Sequence, residues 1–153
     1  MLKLDPHNAD LLLKIYDVRR EATLRRARSW LMSKFTAANL DEMNTQCPPG
    51  SDENAYYRQV TTYWEMISLI VARGMLDEDL YFESTTEGLL TWLRVKDVVL
   101  ALRKVRKNPL MLRNLETLSE KQEKWIQTRA PEAVAEYHKM IEAGRKKAAA
   151  KKQ

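Results

Sequence analysis

What most limits the folds open to this chain is where its helix breakers fall: Pro6, Pro48, Pro49, Pro109 and Pro131, with Gly50 and Gly74, stand between apolar runs of helical period rather than inside them. Proline lacks a backbone donor and its ring clashes with the preceding turn, so each proline starts a helix or ends one. No segment between the breakers alternates apolar and polar residues over a useful strand length. The pattern predicts an all-α, single-domain helical bundle of about five to six helices.

Asp5-Pro6 is a helix start, with Asn8 as the alternative cap, and nothing obvious interrupts the run from there to about Phe35. Leu11, Leu12, Ile15, Val18, Ala22 and Trp30 share one broad arc of that first long helix. Residues 37 to 53, with Cys47-Pro48-Pro49-Gly50-Ser51-Asp52, read as a loop. Ser51 or Asp52 caps a second helix ending at Gly74, and its apolar stripe of Tyr56, Val60, Tyr63, Trp64, Ile67, Ile70 and Val71 suits the middle of a bundle. Asp77-Glu78-Asp79 opens a short third helix. Thr85 or Thr86 starts a fourth, Asn108-Pro109 a fifth, and Ala130-Pro131 a sixth.

Charge locates the remaining boundary. Of 26 basic residues, Arg145, Lys146, Lys147, Lys151 and Lys152 follow Gly144 with no acid among them, leaving 21 basic against 21 acidic residues. The reading is a neutral helical domain over residues 1–144 and a basic, disordered tail over 145–153. No stretch approaches the roughly 18 uninterrupted apolar residues of a membrane span, and the N-terminus lacks a basic region followed by an apolar run. A soluble, unexported protein without a membrane partner is expected. The single cysteine, Cys47, cannot form an internal disulfide, which suits a reducing cytoplasm.

The run Tyr63-Trp64-Glu65-Met66, followed by Gly74-Met75-Leu76-Asp77-Glu78-Asp79-Leu80-Tyr81, resembles a pattern in a family of small bacterial all-helical proteins classed as a domain of unknown function. The similarity covers the central third of the chain. It implies a bacterial, helical protein and carries over no catalytic residues.

Chemical constellations are few. A bundle can hold two metal ions through Glu-x-x-His pairs, but Ala135 stands three before His138 and Leu4 three before His7. His138 and Glu142 share a helix face at i and i+4, which makes a surface pair. The Arg-then-His motif of helical ribonucleases is broken by Pro131 between Arg129 and His138. The four glycines are isolated, so no phosphate-cradling loop is present. Cys47 has no nearby histidine to act as its base. No catalytic residue, metal or cofactor is therefore assigned.

Two features rise above this background. Arg19 and Arg26 border the apolar arc of the first helix, and Glu65 stands alone on the least polar helix. A charge in such a place needs a partner, so the three are expected to form a buried ion pair, or a polar pocket for an anion between the first two long helices. The second feature is segregation. Residues 19 to 34 and residues 94 to 107 each carry six basic side chains and one acidic, whereas 77 to 87 hold five acids and no base. The leading functional expectation is an interaction or structural protein, a homodimer using some of its four Trp and six Tyr at an interface. The alternative is sequence-independent nucleic-acid binding through Arg20, Arg25, Arg28, Arg145, Lys146 and Lys147.

Overall fold

A computed structural model describes residues 5–153 as helices joined by short turns: α1 (Pro6–Arg19), α2 (Ala22–Lys34), α3 (Leu40–Gln46), α4 (Asp52–Ala72), α5 (Glu78–Ser84), α6 (Glu87–Arg106), α7 (Arg113–Arg129) and α8 (Pro131–Ala150). The all-α class stands, and among the described residues there are eight helices instead of the expected five to six.

The additional helices come from caps of unusual kind. The first long helix is two, because Glu21 leaves helical geometry (φ −53°, ψ 137°) and its carboxylate accepts from Thr23 N at 3.0 Å and Leu24 N at 2.8 Å. Those backbone hydrogen bonds hold its carboxyl below the usual carboxylate range. The supposed loop over 37–53 contains α3. Asn39 caps it by accepting from Glu42 N at 2.9 Å, while Glu42 reaches back to Ala38 N at 2.8 Å. The fifth predicted helix starts later than Pro109: residues 109 to 112 form a turn, and α7 begins at Arg113 behind Leu112, which sits in the left-handed region at φ 52°.

Other boundaries follow the sequence signals. Ser51 caps α4 by accepting from Asn54 N at 3.1 Å, and Asp77 caps α5 by accepting from Leu80 N at 2.8 Å. Gly74 takes φ 71° and closes α4, with Gly74 N bonded to Val71 O and Met75 N to Ile70 O, the paired bonds of a Schellman motif. The tail, however, is not separate. α8 continues through residues 145 to 150, and Arg145 turns back to bond Asp97 at 2.8 Å, leaving 18% of its side chain exposed. The run of alanines supports this continuation, since Ala is the strongest helix former.

α4 lies at the centre, packed against α2, α5, α6 and α7. Trp64, Val60 and Ile67 are buried on it against a core that includes Leu31, Trp92 and Leu115. The small polar residues Thr61 and Ser68 are also buried, and each hydroxyl returns to its own helix, Thr61 Oγ1 to Tyr57 O at 2.8 Å and Ser68 Oγ to Trp64 O at 2.7 Å. Neither hydroxyl is left open where neighbouring helices come close. α1 is the least committed element. It buries only Ile15 and is tied down by polar contacts, Tyr63 Oη to Ile15 O at 2.8 Å and Asp77 N to Asn8 Oδ1 at 2.7 Å.

Candidate functional site

The structure separates the three residues that sequence placed together. Glu65 faces the start of α7, where its carboxylate accepts from Asn114 N at 3.1 Å, Asn114 Nδ2 at 2.8 Å and Leu115 N at 2.7 Å. Its charge is met by unpaired amides and the positive end of a helix dipole, and no arginine is required. Arg26 is exposed on α2. Arg19 ends α1 and lies elsewhere, at the mouth of a pocket.

That pocket encloses about 230 Å³ beneath α1, with α4 and α5 as its other walls. Leu12, Leu13, Ile15, Tyr16, Trp64 and Tyr81 supply an almost wholly apolar lining, and Arg19, Ser84 and Thr85 supply the polar part. The indole N–H of Trp64 is buried without an acceptor. Burial lifts the hydroxyl of Tyr81 far above its ordinary range, so it stays a neutral donor at any physiological pH.

The electrostatics of the mouth are set by Glu87 at the start of α6. Arg28 donates from Nε and Nη2 to both oxygens of Glu87, and from Nη1 to Arg19 O at 3.0 Å. This fork-to-fork pairing occupies the carboxylate and raises the Arg28 pKa through the Glu87 hydrogen bonds. Arg19 reaches Glu87 only at 3.9 Å and spends one donor on Thr85 Oγ1 at 3.2 Å. Its Nε and Nη2 make no hydrogen bond among the described residues. Tyr63, whose hydroxyl holds Ile15 O beside this cluster, is pushed up to about 12 by burial. The result is an apolar hollow with a guanidinium at its edge that has donors to spare.

A family model described as a domain of unknown function, DUF4760, matches residues 6–125. The chain belongs to this family. The match reaches well beyond the central third and takes in α1 to α6, every wall of the pocket and most of α7. No curated protein and no solved structure matches the chain.

Within this DUF4760 domain the other expected sites disperse. Of the six residues proposed for nucleic acid, Arg28 is spent on Glu87 and Arg145 on Asp97 and Glu142; Arg20, Arg25, Lys146 and Lys147 are exposed. The acidic segment does not lie across the basic part of α6. Glu78 pairs with Lys121 at 2.8 Å, Asp79 accepts from Trp125 Nε1 at 3.0 Å, and Glu87 serves Arg28. His138 bonds Glu123 on α7 at 2.8 Å instead of Glu142. Among the described residues no cluster of three His, Cys, Asp or Glu side chains could hold a metal ion. Among the Trp, Tyr and Phe residues Tyr16 is exposed, Trp30, Tyr56, Trp125 and Tyr137 are half-buried, and the rest are buried.

Proposed function

We propose that the protein is a ligand-binding bundle whose pocket beneath α1 takes a small molecule with an apolar body and one anionic group, most simply a carboxylate. The observation that carries this is the state of Arg19: a guanidinium at the rim of an otherwise apolar hollow, with its natural partner Glu87 already held by Arg28. A carboxylate would accept two parallel N–H bonds from the fork, the strongest common form of side-chain recognition. The hollow is large enough, since an apolar cavity of about 150 Å³ already holds benzene. A reducing bacterial cytoplasm suits the buried, unpaired thiol of Cys47.

The reading is tested by titrating the protein with aliphatic and aromatic carboxylates of graded length and with the matching alcohols, following tryptophan fluorescence and thermal stabilisation. Saturable binding should favour the acid over the alcohol, and Arg19→Gln should remove that preference with a loss of about ten-fold or more in affinity. Equal binding of acid and alcohol, or an Arg19→Gln variant with unchanged acid affinity, overturns it.

A further inference from the structure

The turn between α6 and α7 has a second character, independent of the pocket. From Leu100 to Arg113 the chain carries Arg103, Lys104, Arg106, Lys107 and Arg113 and no acid. Only Arg103 and Arg113 are paired, both with Glu116 at 2.8 and 2.9 Å. Lys104, Arg106 and Lys107 are exposed and make no ion pair among the described residues. At the tip stands Leu110, 73% exposed, beside Pro109, and the exposed Leu100, one turn before Arg103 and Lys104 on α6, lines a shallow hollow with them.

This exposure is held in place. Arg103 donates from Nε and Nη2 to Met111 O at 2.9 and 2.7 Å, and Glu65 fixes the first amides of α7. Two residues, Lys107 and Leu112, bracket the turn, and they are the only non-glycine residues with positive φ among those described. Lys107 ends α6 with the bond pattern that Gly74 gives α4, Lys107 N to Lys104 O and Asn108 N to Arg103 O. A lysine there accepts backbone strain that glycine avoids, in exchange for a charge at the edge of the turn.

We infer that this turn is a peripheral docking surface for an anionic lipid bilayer, with Leu110 entering the headgroup boundary and Lys104, Arg106, Lys107 and Arg113 meeting the lipid phosphates and carboxylates. A bilayer rewards both halves of the arrangement, burial of an apolar tip and a ring of cations around it. A nucleic-acid backbone would use the cations and leave Leu110 in water, and the turn offers no aromatic side chain for a base to stack on. That no helix among the described residues is long and apolar enough to cross a membrane concerns crossing the bilayer and not resting on it.

The test is co-sedimentation of the full chain with phosphatidylcholine vesicles, against vesicles in which part of the lipid is phosphatidylserine. Binding should require the anionic lipid and fall with added salt. Leu110→Ser should lower partitioning by about ten-fold, and Lys104→Gln or Lys107→Gln by about five-fold each. Lys107→Gly removes the same charge while relieving the strained φ, so it should bind less although its melting temperature is equal or higher; that variant keeps the test independent of folding defects. Equal partitioning onto both vesicle types overturns the proposal. So does full binding by Leu110→Ser, or a double-stranded oligonucleotide held more tightly than the anionic vesicles with no effect of Leu110→Ser.

Discussion

The carboxylate of Glu65, in the middle of α4, is the N-terminal cap of α7, with Leu115 N 2.7 Å from its Oε2. Capping of this kind is normally done by the residue that precedes the helix; here Leu112 occupies that position and has nothing to offer. Glu65→Ala leaves two amides and the Asn114 side chain without an acceptor and should cost about 1–3 kcal/mol of unfolding free energy. Glu65→Gln keeps one acceptor oxygen and should cost less than half as much. Urea denaturation of the two variants checks this, and equal losses would mean that charge, not hydrogen bonding, governs the site.

Gly88, at the start of α6, is required by packing. A Cβ there would collide with the hydroxyl of Tyr81 and come within 3.2 Å of Trp64 Cε3. Both rings are almost wholly buried, so moving either aside, toward the hollow beneath α1, gives up core contacts. Gly88→Ala should therefore destabilise by about 1–3 kcal/mol despite the better helix propensity of alanine. Gly144→Ala on α8, where nothing lies within 4 Å, is the control and should stabilise by up to about 1 kcal/mol. Chemical denaturation of both distinguishes packing from propensity.

How far the sequence could be read follows from where each signal sits. The ends of α4 and the start of α5 were legible because Ser51, Gly74 and Asp77 act on their own neighbours. The break between α1 and α2 was not, since glutamate is an uncommon cap and Glu21 looks like any helical surface residue. α3 was hidden by the breaker cluster after it, although Asn39 and Glu42 had the spacing of a capping pair. Glu65 is anomalous in the sequence, yet its partner is backbone amide 49 and 50 positions away, and a helix start carries no side-chain signature of the carboxylate that will meet it. Arg19 stands out in the sequence by its place on an apolar arc. Its actual neighbours, Thr85 and Glu87, come from chain 66 and 68 positions on, and the pocket exists only once α1 has been laid over α4 and α5.

Cys47 should be unreactive in the native protein. The residue is 1% exposed, and burial pushes its thiol up to about 11. At pH 8 a disulfide-exchange reagent should label it slowly in buffer and fast in denaturant. Because the folded state disfavours the thiolate, this group's contribution to stability is fully present below about pH 8.5 and is lost as pH rises toward about 11. Fast labelling without denaturant would show that the loop around Pro48 and Pro49 opens well below global unfolding.

Arg28 is expected to control the pocket without touching its contents. It holds both oxygens of Glu87 and so leaves Arg19, 3.9 Å from the same carboxylate, free to face the hollow. In Arg28→Ala, Glu87 keeps its charge in a partly buried place and draws Arg19 into a direct ion pair, turning the guanidinium away from the mouth. Affinity for a carboxylate probe should fall by about ten-fold, and stability should fall by about 1–3 kcal/mol because Arg19 O also loses its donor. Adding Glu87→Gln to Arg28→Ala separates the two effects: a neutral amide no longer competes for Arg19, so carboxylate affinity should return while the stability loss remains. Isothermal titration and urea denaturation of the single and double variants read the two quantities, and a double variant that stays weak for the carboxylate would show that Arg28 acts through the fold and not by freeing Arg19.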